Sequence, residues 1–493
     1  MRGDQMDNAL PLDFSFKDMM SVILQQAIDV TRNHTQYRLD TIKGGKTVFD
    51  KIIKLFTAKR EPKGLTKKKF ELISQQSTDI EKIRKNIGDK LTIVKGRAGT
   101  GKTIQLLQLA FFLANEDNAK RCMILTYNNA LVCDIKRLID YTPMPTKVDG
   151  RTVSIKTIDS FFQSLMRETG VISVPLSPTF SDYKYQYEAK LQELNDYVVK
   201  KCSSEDILTL KDMADANIDW DYIMVDEAQD FTDLEKEILF KIYGPKRIIV
   251  ADGVDQFMRR SERQLWDRGI TDDLVWKPKT MELERRQKAN LVNFVNAFAK
   301  KAGLDWNVRP NPELPGGQVK ILPTFNTKHF KELKNNCLKS KCENYDILML
   351  FPPSRVEIDK KGNRKFELAD LYNKVGIPIF DGINNQLRTT YPTKDQCRVY
   401  QYDSCRGLEG WCVVCAEFDE LIQYKMNIVE VDDTVLGFDR DLAKKKIVYL
   451  WSIMPLTRPI DTLVITLKDP NSEVGKLLKE LANSFEDFIE WGF

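Results

Sequence analysis

Histidine is nearly absent from this 493-residue chain: His34 and His329 are the only two, and neither sits in a motif. Acid–base or metal chemistry built on histidine is therefore not expected. The nine cysteines are scattered, as in a protein with reduced thiols and unlike a secreted disulfide framework. Cys412 and Cys415 form a CxxC, but inside the apolar run WCVVCAEF, and the CxxxxC of Cys337 and Cys342 is a poor second pair for zinc. Buried thiols are the expectation. Long hydrophobic runs are missing too. LLQLAFFLA, the longest in the first half, is too short to span a bilayer, and MRGDQMDNALPLDF lacks the charged-then-apolar pattern of a signal peptide. A cytoplasmic protein with no membrane partner is expected. Net charge is only +4, so affinity for nucleic acid has to come from local patches. Residues 31–90 carry 16 Lys or Arg against 7 Asp or Glu. Such a patch suits phosphate contacts, a solvated helix face or a docking partner.

What is present is an ordinary globular composition, 42% apolar and 30% charged, with no internal repeat or low-complexity segment. The length allows several domains. Residues 1–75 hold short amphipathic stretches and read as a helical, basic N-terminal region. From Leu91 the texture changes. LTIVKG, CMILTY, VSIKT, YIMVDE and RIIVAD are short apolar runs separated by helical periodicity, and VKILPT, DILMLF, VYQYDS, WCVVCAEF and TLVIT form a second series. Strands alternating with helices predict parallel sheets covered on both faces. Two successive α/β units follow, over 76–275 and 276–493, with a helical insertion near 161–215. FELADLYNKV reads as helix-like.

Residues 96–103, GRAGTGKT, match G-x-x-x-x-G-K-[ST]. Gly96, Gly99 and Gly101 let the loop bring backbone N–H groups onto phosphate oxygens. Lys102 is placed to reach the β- and γ-phosphates, and Thr103 to ligate Mg2+. The strand end YIMVDE offers Asp226 as the second magnesium ligand and Glu227 as the group that polarises water. ATP and Mg2+ are thus the expected ligands.

Gln229 and Asp230 complete DEAQD, which resembles motif II of the UvrD/Rep branch of superfamily 1 helicases. Other stretches resemble that family's motifs in order: ILTYNNALV (124–132), VSIKTIDSFF (153–162), IIVADGVDQF (248–257), MELERRQKANLVNFVNAFA (281–299), DSCRGLEGWCVV (403–414) and PLTRPIDTLVIT (455–466). The resemblance spans about residues 76–468. It implies two tandem RecA-like P-loop domains, with Gln229 and Gln256 sensing the γ-phosphate. Arg286, placed by aligning the family's asparagine-containing helix on Asn296, and Arg458 would complete the site from the second domain. Glu409 would contact the ribose, and Gln76 would read adenine, with Gln75 competing for that role. Thr126, Asn128, Thr157 and Phe257 would touch the strand. Asp230 is expected to orient neighbouring groups at the domain boundary.

The chain also departs from that pattern. Arg406 replaces the usual lysine of its motif, Ala251 a glycine, and Asp159 a histidine near the expected strand path, where an acid repels phosphates unless paired or turned away. Phe257 is followed by Arg259 and Arg260 instead of stacking aromatics. The interval between Arg286 and Arg406 leaves little room for the large 2B subdomain. The resemblance implies an ATP-dependent translocase or helicase, 3′ to 5′, on single-stranded or tailed DNA, with RNA left open. The alternative is a nucleic-acid-gated regulatory ATPase, a component of a bacterial defence or repair complex with a protein partner and no processive unwinding.

Overall fold

A computed structural model describes residues 63–74, 78–114, 120–140, 153–176, 182–214, 218–253, 264–360, 362–387, 390, 392–430 and 439–493. The N-terminal stretch 1–62, and Gln75, Gln76, Gln256, Phe257, Arg259 and Arg260, lie outside the described residues.

The apolar runs of the first series form β1 (Leu91–Gly96), β2 (Cys122–Thr126), β3 (Val153–Thr157), β4 (Tyr222–Val225) and β5 (Ile248–Gly253), joined by the short β6 (Val275–Trp276). They pair in the order β3-β2-β4-β5-β1-β6, every pairing parallel. Near-continuous burial of runs such as CMILT is what a sheet covered on both faces requires. Helix α1 (Gly64–Ser74) precedes this sheet. Between strands lie α2 (Lys102–Ala114), α3 (Asn129–Asp140), α4 (Ile158–Glu168), α5 (Tyr183–Val198) and α6 (Ser204–Met213). The last two, between β3 and β4, correspond to the inserted helical stretch. A reciprocal Ser203–Asp206 capping box starts α6.

The second series builds β7 (Gln318–Leu322), β8 (Ile347–Phe351), β11 (Ile379–Asp381), β12 (Cys397–Gln401), β13 (Gly410–Cys415), β14 (Pro459–Thr466) and β15 (Ile489–Trp491). The order is β11-β12-β8-β13-β14-β7-β15, again all parallel. Helices α7 (Ala289–Lys301) and α8 (Arg440–Leu456) pack on one face. The fold is two tandem parallel-sheet α/β units of the RecA-like kind. The carboxyl ends of β1 and β4, where ligands bind in such folds, face the cleft from the first unit, and the amino ends of β13 and β14 face it from the second.

FELADLYNKV is not one helix. Phe366 ends an antiparallel hairpin of β9 (Val356–Ile358) and β10 (Arg364–Phe366), and only Ala369–Lys374 is helical. Phe366 is 1% exposed and its ring lies 4.4 Å from that of Phe351. Burial of one aromatic side chain outweighs a modest local helix preference.

Two small residues of the first unit, Ala98 and Ala130, sit in the hydrophobic cluster of the second, so the two units share packed surface. All nine cysteines are free thiols. Cys337 and Cys412 lie 3.8 Å apart, sulfur to sulfur, inside the second unit. Among the described residues no helix is long and apolar enough to cross a membrane.

Candidate nucleotide site between the two units

The loop between β1 and α2 turns through Gly99 and Gly101, at φ +77° and +96°, conformations that L-residues resist. A Cβ at Gly99 would fall 1.8 Å from Glu284 Oε2. The segment after β6 runs beside this loop: Met281 N donates to Lys95 O at 2.9 Å and Arg285 N to Gly99 O at 3.2 Å. Glu284 Oε1 accepts from the backbone N–H groups of Arg286 and Gln287, each at 3.0 Å. The phosphate loop and the first arginine of the second unit are thereby built on one support. Lys102 Nζ donates to Gly96 O and Arg97 O, both at 2.9 Å. Burial pulls its ammonium below the ordinary range, against the pull of Glu227 and Asp226.

Thr103 Oγ1 donates to Asp226 Oδ2 at 2.8 Å. Burial and the neighbouring Glu227 push the Asp226 carboxyl up to about 6. Among the described residues no group of three or more His, Cys, Asp or Glu could form a protein cage for a metal. Magnesium at nucleotide sites takes one or two protein ligands plus phosphate and water, and the Thr103–Asp226 pair fits that donor set.

Glu227 adopts a left-handed backbone, φ 52°, which turns the chain into the short helical turn 228–230. Burial opposes its charge, yet the Arg406 and Lys102 cations hold it down at about 2. Gln229 is 0% exposed. Its Nε2 donates to Glu227 Oε2 at 2.7 Å, and its Oε1 accepts from Gly253 N at 2.9 Å. The amide thus ties Glu227 to the end of β5 and has no surface on the cleft in this conformation.

Asp230, the acid without a motif role, meets Arg406 from the second unit. The guanidinium pairs with Asp230 Oδ2 through Nη1 and with Glu227 Oε2 through Nη2 at 3.2 Å. Asn128 reinforces the same junction: Nδ2 donates to Ser404 O at 2.8 Å and to Arg406 O, while Oδ1 accepts from Ala130 N at 2.9 Å.

Arg286 Nη1 donates to Glu409 Oε2 at 3.1 Å and Nη2 to Thr457 O. Its Nε is buried without a partner among the described residues. Arg458 is held by Met454 O and Thr457 Oγ1, each at 2.9 Å, and burial with the nearby Arg286 lowers it to about 10. A cavity of about 380 Å³ is lined by Lys102, Thr103 and Glu227 from one unit and by Arg286, Glu409 and Arg458 from the other. Its size suits a nucleotide, and the cationic side chains of Lys102, Arg286 and Arg458 at its wall suit phosphate.

Three of the strand-contact candidates lie together at the carboxyl ends of β2 and β3, where Thr126 and Thr157 are register partners and Asn128 follows two residues on. Thr126 is 1% exposed at the end of β2, and Asn128 is taken up by the inter-unit junction. Thr157 caps α4, accepting from Ser160 N at 3.2 Å. Asp159 turns toward the helical insertion and hydrogen-bonds the Tyr183 hydroxyl. A groove of about 160 Å³ between the units carries Tyr127, Asn129, Arg364 and Tyr400 on its walls. The roles of Arg406, Glu284 and Lys69 were not read from sequence. The one available signal for Arg406 was an unassigned acid in one motif and an arginine replacing lysine in another.

Residues 79–260 match the profile of the AAA domain family AAA_19. No curated protein matches the sequence. Among solved structures the chain is similar to an arterivirus nonstructural protein 10 helicase in complex with DNA, at 13% identity and a TM-score of 0.32, over 80% of this chain and 64% of that one. A crystal structure of the arterivirus protein gives 11% and 0.31, over 80% and 63%. The PRRSV helicase gives 9% and 0.30, over 80% and 55%. The chain therefore spans less than two thirds of each of these three structures.

Proposed function

We propose that the protein is an ATP hydrolase of the UvrD-like superfamily 1 type, a translocase or helicase moving 3′ to 5′ on single-stranded or tailed DNA. One observation carries the reading: a single cavity collects the phosphate-loop Lys102 and Thr103 from one unit and Arg286 and Arg458 from the other. The N–H groups of the loop and Lys102 bind the phosphates, and Lys102 exchanges its two carbonyl partners for phosphate oxygens. Thr103 and Asp226 would hold Mg2+, which would supply charge neutralisation at the phosphates. Glu227, kept anionic by Arg406 and oriented by Gln229, positions the attacking water. Arg286 and Arg458 stabilise charge on the transferred phosphoryl group only when the units are together. Hydrolysis is thereby linked to closure of the cleft, and closure to a step along the strand. Glu409 takes the ribose. Gln76 and Gln256 keep their proposed adenine and γ-phosphate roles outside the described residues.

A second reading, an ATPase that switches without processive unwinding, is favoured by one feature. Between Arg286 and Arg406 the described residues form four strands of the second sheet, three helices and a single small hairpin, with no duplex-handling subdomain among them. The decisive assays are ATP turnover with single-stranded DNA, displacement of a strand from a 3′-tailed duplex, and streptavidin removal from a biotinylated end. Lys102→Ala is expected to abolish DNA-stimulated turnover. Full activity in that variant overturns the site. Stimulated turnover with neither displacement nor streptavidin removal selects the switch.

A further inference from the structure

Helix α1 lies upstream of every motif, yet it crosses the cleft. Near its start, Leu65 is 4% exposed in the hydrophobic cluster of the second sheet, together with Ile347 and Trp411. Near its end, Ile73 is 5% exposed in a cluster of the first sheet. Thr66 Oγ1 accepts from Arg137 Nη1 of α3 at 3.1 Å, while Lys68 Nζ stands 4.4 Å over the Trp411 ring of β13. One helix is thus anchored in both units, and its middle forms a wall of the nucleotide cavity.

Lys69 sits at the crossing point. Its ammonium pairs with Asp134 Oδ2 of α3 at 2.7 Å and with Glu409 Oε1 at 3.0 Å. All three side chains are largely buried, at 13%, 6% and 14% exposure. The other oxygen of Glu409 holds Arg286 at 3.1 Å. Tyr345 of the second unit donates to the second oxygen of Asp134, and its ring lies between the guanidinium groups of Arg137 and Arg398. Lys69 is therefore the cation between one carboxylate of each unit, and the second carboxylate carries the arginine that faces the phosphates.

We propose that Lys69 is a positioning residue: it ties α1 across the cleft and fixes Glu409, and through Glu409 the Arg286 guanidinium, in the closed arrangement. Without that charge, Asp134 and Glu409 face one another with no shared cation. A buried carboxylate that loses its partner is strongly unfavourable, and separating the units returns both groups to water. The catalytic half of this inference rests on the hydrolase reading above; the mechanical half does not.

The test uses the full chain with Lys69→Met, Lys69→Arg and, as a comparison, Lys67→Met, whose side chain is 62% exposed on the same helix. Inter-unit distance is read by pulsed EPR between spin labels carried on p-acetylphenylalanine at Leu208 and Leu371, which leaves the cysteines untouched. Turnover, nucleotide affinity and melting temperature are measured in parallel. K69M is expected to broaden and lengthen the distance distribution and to lower kcat about tenfold or more, with affinity within about threefold. K69R is expected to recover both and K67M to match the parent. A parent-like distance distribution in K69M overturns the proposal. So does a K69R variant as impaired as K69M with an equally lowered melting temperature, because that marks a merely structural lysine. If the parent chain shows no turnover dependent on Lys102, the hydrolase reading fails, and the distance distribution still decides whether Lys69 holds the units.

Discussion

Arg406 shows how one substitution reorganises a site. A lysine at this position could place one ammonium between Glu227 and Asp230, but a guanidinium presents two donors in a fixed fork and reaches both at once. The acids it joins differ in use. Glu227 faces the cavity, whereas Asp230 is 1% exposed and faces the junction. Arg406 therefore sets the charge state of the water-polarising group and fastens the second unit to the turn that carries it. Arg406→Met should take from the buried Asp230 and Glu227 the cation they share, at a cost of about 3 kcal/mol, and release Glu227 toward an ordinary carboxylate pKa. The expected outcome is a melting temperature lower by several degrees together with lost turnover. Arg406→Lys should recover most of the stability and less of the turnover. Calorimetry and steady-state hydrolysis of the two variants separate fastening from charge control.

At the scale of elements, the turn feeding β8 gives a pH-dependent case. Asp346 Oδ2 accepts from Glu343 N at 2.8 Å, but Oδ1 is buried without a partner among the described residues. Burial pushes this carboxyl up to about 6, with the Glu343 charge adding to it and Arg398 and Arg137 opposing. A raised carboxyl pKa means the folded state favours the protonated form. Asp346 thus costs nothing near pH 4 and costs on the order of 2 kcal/mol once pH has risen past the folded value. Asp346→Asn should raise the melting temperature at about pH 7.5 and leave it unchanged near pH 4, checked by thermal melts across that range. Strands such as β2, β4, β8 and β13 were legible because an apolar run buried on both faces has no other use in a protein of this composition. The phosphate loop was legible because its glycines and Lys102 follow β1 directly. The hairpin at 356–366 was not, since its only local sign is the turn sequence DKKGN, and what fixes it is the packing of Phe366 on Phe351 and Tyr372, which no periodicity encodes. Nor was the bridging role of α1 legible: Lys69 finds Asp134 and Glu409 far along the chain, and no periodicity encodes a partner at that separation.

For the whole molecule, closure is the quantity that joins the parts. Among the described residues, the contacts that span the cleft include Arg406 with Glu227 and Asp230, Asn128 with the 404–406 loop, and Lys69 with Asp134 and Glu409. Two of these groups include cavity-lining residues, Glu227 in one and Lys69, Asp134 and Glu409 in the other, so binding at the cavity and apposition of the units are thermodynamically coupled, and each must favour the other equally. Arg458 is the cleanest probe of that coupling. It belongs wholly to the second unit, makes no ion pair across the cleft among the described contacts, and lines the same cavity as Lys102 and Glu227. Arg458→Ala should therefore leave the inter-unit contacts in place, keep nucleotide affinity within about fivefold, and lower kcat by about a hundredfold or more, as removal of a phosphate-facing arginine does elsewhere. Melting temperature measured with and without Mg-ATP gives a second reading of the same variant. Ligand stabilisation follows affinity and not turnover, so the nucleotide-induced rise should persist in R458A and disappear in the parent when EDTA removes the metal. A variant that loses the rise along with turnover would place Arg458 in binding, and the link between closure and hydrolysis would then rest on Arg286.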